Sequence, residues 1–193
     1  MSKEVVLDIE TQNSFADVGG MIHDKLKISL VGVYYYETDE CVSYLEHELN
    51  SLWPRLEKAE RIIGYNTKGF DFPVMNSYYP GDFLKFPNLD LLEEIAKVLG
   101  FRVKLDDVAQ ATLGVGKTGH GLQAIEFFRK GELDKLRDYC LMDVKITRDV
   151  YEYGKKHGEI FYFDRSGQKK PVKVDFNPKP AAPAPPINLT LGF

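Results

Sequence analysis

Asp8 and Glu10 stand two apart in VVLDIET, Asp71 closes GYNTKGFD, and Tyr139 and Asp143 stand four apart in RDYCLMD. Four carboxylates and a phenol suit a site that works on phosphate esters through divalent cations. Hard cations take oxygen ligands, and a pair of them can activate water and neutralise a leaving oxygen. If VVLDIE is a strand, alternation sends Val6, Asp8 and Glu10 to one face and Val5, Leu7 and Ile9 to the other. The two carboxylates then lie about 7 Å apart and point the same way. Like charges that close repel unless a cation or proton lies between them. The plain alternative is an edge strand with a solvated acidic end. Tyr139 and Asp143 share a face if their segment is a helix, whereas Asp138, about 100° round from the tyrosine, belongs to the surface. Taken alone, that pair reads as a half-buried tyrosine beside a solvent-facing aspartate. Asp71 alone reads as a helix N-terminal cap, favoured by the helix dipole. Only the three motifs together point to a metal-dependent nuclease.

Holding these residues requires a strand-rich first third followed by helices. Residues 3–9, 26–36 and 41–45 are rich in β-branched and aromatic side chains and read as strands, with a polar, glycine-containing loop over 11–25. Residues 47–59 carry Leu49, Leu52, Leu56 and Ala59 at helical spacing, interrupted by Pro54. A short buried strand is expected at 61–65, then helices over 70–78, 90–99, 105–113, 121–129 and 132–153. Gly100, Gly114 and Gly131 fall where helix ends are expected. Residues 159–176 change character: two β-like runs flank the turn-rich RSGQKK and predict a hairpin. The pattern indicates α/β or α+β around one core.

Bulk properties narrow the classes. A chain of 193 residues holds one well-buried domain and a short appendage. No apolar run approaches a membrane span, and MSKEVVLDIE has no signal-peptide core. Two cysteines, Cys41 and Cys140, make no disulfide framework, so a cytoplasmic location fits; Cys140 reads as a small helix residue. A net charge of −4 argues against a protein that coats nucleic acid through many phosphate contacts. It does not argue against a nuclease, because a carboxylate cluster becomes a local cation site once loaded with metal.

The three motifs resemble the first, second and third exonuclease motifs of the DnaQ-like, DEDD-type 3′–5′ exonucleases, within the ribonuclease H-like superfamily. DIET supplies Asp8 and Glu10; NTKGFD matches Asn-x₃-Phe-Asp through Asn66, Phe70 and Asp71; YCLMD matches Tyr-x₃-Asp through Tyr139 and Asp143. The resemblance covers about residues 3–153 and includes LDDVAQATLG at 105–114. The tyrosine places the chain in the DEDDy branch; the other branch has histidine where this chain has Asp138. The resemblance implies an α/β fold with a ribonuclease H-like mixed central sheet flanked by helices, to which the sequence beyond it adds a C-terminal hairpin and a flexible tail. It implies two divalent ions, Mg²⁺ or Mn²⁺. Asp8, Glu10 and Asp143 would hold one, Asp8 would also touch the second, and Asp71 would act through bound water. Tyr139 would orient the attacking water. Thr11, through its backbone, and Asn66 and Phe70 would meet the terminal nucleotide.

Other strings compete. ATLGVGKT at 111–118 satisfies a loose P-loop pattern, but a true P-loop follows a strand and opens a helix at its Lys-Thr, and here the preceding segment reads as a helix. No nucleotide triphosphate cofactor is expected; Lys117 and His120 instead sit in a glycine-rich turn able to contact phosphates. The histidines at 23, 47, 120 and 157 show no ligand spacing. Asp90, Asp106 and Asp107 suit helix starts, while Trp53 and the tyrosines at 34–36 suit packing. Residues 1–176 are thus expected to form the exonuclease domain, 177–187 a Pro/Ala-rich linker, and 188–193 a separate peptide. NLTLGF follows the layout of the bacterial sliding-clamp-binding hexamer, with Leu189, Leu191 and Phe193 at the apolar positions and Asn188 where glutamine is expected. A tail that folds back on its own domain is the alternative. The expected partners are a single-stranded DNA (or RNA) 3′ end and, through the tail, a sliding clamp, with no membrane. The alternatives to a DNA exonuclease are an RNA exonuclease and a catalytically silent nucleic-acid-binding or clamp-adaptor module.

Overall fold

Strands β1 (Glu4–Thr11), β2 (Ile28–Tyr35) and β3 (Glu40–Leu45) run antiparallel in sequence order. Helix α1 (Leu49–Leu56) then carries the chain to β4 (Arg61–Gly64), which returns parallel to β1 on its other side. Helix α2 (Asp71–Asn76) leads to β5 (Asn88–Asp90), parallel to β4. The mixed sheet has the order β3-β2-β1-β4-β5, with β1 at its centre. Helices α3 (Leu91–Leu99), α4 (Leu105–Leu113), α5 (Gly121–Arg129) and α6 (Leu133–His157) follow, and a hairpin of β6 (Glu159–Phe163) and β7 (Lys169–Lys173) closes the fold. The computed structural model describes residues 3–116 and 121–177.

Both faces of β1 are covered, which explains its hydrophobic composition. Val5, Leu7 and Ile9 pack with Leu52, Trp53 and Leu56 of α1 and Phe72 and Met75 of α2. Val6 faces the other layer, with Ile95 of α3, Val108 of α4 and Val144 and Val150 of α6. This is the three-layer α/β arrangement. The hairpin joins the second layer: Ile160, Val172 and Phe176 are buried there, and Thr112 exchanges two hydrogen bonds with the backbone of Phe161 at 2.9 and 3.1 Å. Beyond β7, the carbonyl of Phe176 accepts from Arg61 Nη2 at 2.9 Å. Arg61 also pairs with the buried Glu4, so the end of the hairpin is tied to the start of β1.

The expected elements are present, with shifted ends. The first helix shortens to Leu49–Leu56 because Glu46–Glu48 make a 3₁₀ turn; Pro54 lies inside it, where its ring withholds the N–H that a helix would direct to the carbonyl four residues back. Helix α6 runs four residues beyond 153, with Lys155, Lys156 and His157 at its negative end and Gly158 closing it at φ 66°. Strand β5 was not expected. Three residues carry no periodicity, and Asn88–Asp90 become a strand only by pairing with β4. The P-loop context is contradicted: Gly114, at φ 72°, ends a helix at that string. Asp90 caps α3, but Asp106 and Asp107 lie inside the first turn of α4, whose cap position is Lys104. Lys117, His120, most of the linker and the hexamer lie outside the described residues. No helix among the described residues is long and apolar enough to cross a membrane.

Candidate active site

The carboxylates gather because a helix comes unusually close to the sheet. Gly32 of β2 pairs with Asp8 of β1. A Cβ at position 32 would meet Cys140 Sγ at 2.8 Å and Val144 Cγ2 at 2.9 Å, so only glycine lets α6 settle at this height. Asp143, on the same helix, is thereby lowered onto the two acids of β1. Asp8, Glu10 and Asp143 each place an oxygen within 4.8 Å of the others. Glu10 and Asp143 are buried and Asp8 is half-buried. Three carboxylates this close are stable together only with positive charge or protons among them, and an all-oxygen set suits a hard divalent cation.

Asp71 stands outside that trio. Pairing between β1 and β4 ends at Val6–Ile63, so β1 outruns its neighbour, and the N–H of Ile9 is met by Asp71 Oδ1 at 3.1 Å. The expectation of a helix cap is thus corrected: the side chain bonds across to β1, and α2 has no side-chain cap. Burial pushes the Asp71 carboxyl up to about 7, helped by the charge of Asp90 and opposed by its own N–H and that of Ile9. Asp90 also shapes the loop before Asp71. Its oxygens accept the N–H groups of Asn66 at 2.8 Å and Lys68 at 3.0 Å, as well as that of Leu92 at 3.0 Å in α3. Asn66 sits at φ 67°, a left-handed turn that asparagine tolerates, and its side-chain oxygen accepts from Arg102.

Tyr139 is half-buried, edge-on to Phe127 with centroids 6.4 Å apart. With Asp143, Gln123 and Lys135 it lines a pocket of about 260 Å³. Asp138 is exposed beside it. Cys140, one residue on, is fully buried under the carboxylates, with Sγ 3.8 Å from Asp8 Oδ2. Burial, reinforced by the charges of Asp8, Glu10 and Asp143, holds its thiol well above the ordinary range, so it is a neutral packing group. Phe70 is half-buried and meets Phe15 and His23 edge-on, with His23 Nε2 3.0 Å from the Gly69 carbonyl. Thr11 is buried and its hydroxyl donates to Asn13 O at 2.8 Å. Gly32 and Asp90 are the positioning residues that sequence reading missed or undervalued. A lone glycine inside an eight-residue strand is a legible sign of close backbone approach.

Residues 5–154 match the RNase_H superfamily. The chain belongs to that superfamily. No curated protein matches it. Among solved structures, the family B DNA polymerase from the hyperthermophilic archaeon Pyrobaculum calidifontis aligns with 78% of this chain at 18% identity and a TM-score of 0.62. E. coli Exonuclease I, in complex with a 5cy-dT13 oligonucleotide, aligns with 81% at 14% identity and a TM-score of 0.52. This RNase_H superfamily chain spans only 24% of the polymerase and 41% of the exonuclease, and at such identities the likeness is one of fold. Superfamily membership together with a buried acidic trio supports a nuclease.

Proposed function

We propose that this chain is a two-metal-ion 3′–5′ exonuclease of the DEDDy type, acting on single-stranded ends with DNA favoured. The observation that carries the reading is the convergence of Asp8, Glu10 and Asp143 from a central strand and a facing helix, with Tyr139 sharing a pocket with Asp143. Asp8, Glu10 and Asp143 would hold divalent metal, with Asp71 as a further carboxylate of the site. Ions bound there lower the pKa of a water and offset charge on the phosphate. The remaining work belongs to side chains. The Tyr139 phenol orients the attacking water by hydrogen bonding and need not remove its proton. Phe70, braced by Phe15 and His23, offers a ring to the terminal base. The loop at Asn66, fixed by Asp90 and Arg102, shapes the wall beside it. Lys117, in the glycine-rich string GVGKTG, would supply a cation to a phosphate. The oligonucleotide in the Exonuclease I complex favours a DNA substrate. The hexamer with Asn188, Leu189, Leu191 and Phe193 would hold the enzyme at a sliding clamp, raising its local concentration at primer ends and compensating for an acidic surface.

The test uses DNA and RNA single strands labelled at either end, with Mg²⁺ or Mn²⁺, against Asp8→Ala. Release of nucleotides from the 3′ end by the wild type alone is expected, faster on DNA. Activity that survives Asp8→Ala would remove the metal-site reading.

A further inference from the structure

We propose that the surface formed by the α3–α4 loop and the β6–β7 hairpin is a binding track for the single strand lying 5′ of the nucleotide being removed. This rests on the exonuclease reading above and specifies how that site holds its substrate.

Phe101 and Phe163 are 50% and 41% exposed. Single exposed apolar residues are ordinary. These two, however, line one hollow of about 770 Å³ together with Tyr162, Arg102 and Arg165. Phe101 and Tyr162 meet edge-on at 5.8 Å, which leaves the faces of the edge-on ring uncovered by its partner. Aromatic faces interleaved with guanidinium groups are the chemistry that stacks bases and pairs with phosphates. Asp164, which also lines the hollow, is an anion whose carboxylate accepts from Ser166 N–H, Ser166 Oγ and Gln168 N–H in the hairpin turn and lies 3.8 Å from Lys170 Nζ. Across 155–173 there are six basic side chains against Glu159 and Asp164, a local net of +4 in a chain whose net charge is −4. Of these, Arg165 lines the hollow beside Arg102, whereas Lys155 pairs with Glu4 and Lys173 with Glu159.

Arg102 joins the hollow to the loop that precedes Asp71. Arg102 donates to Asn66 Oδ1, and it also lines the adjoining hollow of about 530 Å³ with Asn66, Lys68 and Gly69, the loop that runs into Asp71. The hairpin lies beyond residues 5–154, so this half of the track is added to the superfamily core.

The experiment uses the full chain in EDTA, where nothing is cleaved, and a fluorescent single strand of about 20 nucleotides. Phe163→Ala/Arg165→Ala, two exposed positions, should keep the wild-type thermal midpoint. It should bind the strand about tenfold more weakly, with a shallower salt dependence. In Mn²⁺ its KM for the long strand should rise about tenfold relative to its KM for a trinucleotide. A double variant that binds and degrades the long strand as the wild type does overturns the track, and a hollow that docks a protein segment would give that result. If the wild type binds through Phe163 and Arg165 yet cleaves nothing with metal, the track stands and the exonuclease reading falls.

Discussion

Asp71 Oδ1 accepts the backbone N–H of Ile9 at 3.1 Å, so the second motif is pinned to the very strand that carries the first. The bond lies where β1 has outrun β4, and it stands in for the partner that Ile9 lacks on that side, while β2 supplies Val31 on the other. A carboxyl buried to 4% exposure in this role need not be ionised to keep the fold.

That predicts an unusual pH dependence without metal. The Asp71 carboxyl is pushed up to about 7 by burial, against an ordinary aspartate value of about 3.9. A raised folded value means the folded state holds its proton more tightly. The associated stability is full below about pH 4 and is lost as pH rises through about 7. Asp71→Asn keeps an oxygen for Ile9 and removes the charge. In EDTA, urea unfolding at pH 5 and pH 8 should show the wild type losing on the order of 3 kcal/mol more than the variant. Parallel losses in the two proteins would place the titration elsewhere.

Gly32 gives a second prediction. Gly32→Ala drives a methyl group toward Cys140 Sγ and Val144 Cγ2, at 2.8 and 2.9 Å, and the rigid helix has to rise. Overpacking of this kind costs about 1–3 kcal/mol. Because Asp143 rides on the same helix, nuclease activity should fall by about tenfold to a hundredfold. Adding Cys140→Ala clears one of the two contacts and should recover part of both losses. Wild-type activity and stability in Gly32→Ala would show that this contact does not set the helix height.

Much of this was written in local pattern. Alternation in VVLDIE correctly separates Asp8 and Glu10 from Leu7 and Ile9, and spacing places Tyr139 and Asp143 on one helix. What stayed hidden depends on distant partners. Asn88–Asp90 pair only because β4 offers an edge, and Asp71 faces Ile9 only because β1 is longer than β4. Asp90 looks like a helix cap, and it is one, but its bonds to Asn66 and Lys68 span 24 and 22 residues. No window on the chain contains both ends of such a bond.

Glu4 should behave in the opposite sense to Asp71. Burial works against its charge, but the Tyr151 hydroxyl, the Arg61 guanidinium and Lys155 outweigh it and hold the carboxyl below the usual range. A depressed folded value means stability present above the unfolded value, near 4.5, and lost as pH falls through the folded one. Glu4→Gln leaves Arg61 buried without its anion. It should cost about 3 kcal/mol at pH 7, and less as pH drops below 4.5. Unfolding midpoints from pH 3 to pH 7 read this directly; a cost that does not shrink in acid would contradict it.

Metal holding and water positioning should separate between Asp143 and Tyr139. Asp143 belongs to the trio whose oxygens lie within 4.8 Å of one another, whereas Tyr139 lines the pocket beside it. A ligand that binds only the folded state raises the thermal midpoint in proportion to the logarithm of its concentration over Kd. Mn²⁺ should therefore stabilise the wild type and Tyr139→Phe equally, and Asp143→Asn far less. Tyr139→Phe keeps the ring against Phe127 and removes only the hydroxyl. Its single-turnover rate at saturating Mn²⁺ should fall by about tenfold to a hundredfold, and that of Asp143→Asn by about a hundredfold or more. Full activity in Tyr139→Phe would assign the water to another group. A wild-type Mn²⁺ shift retained by Asp143→Asn would move the ion away from α6, and with it the reason that Gly32 holds the helix down.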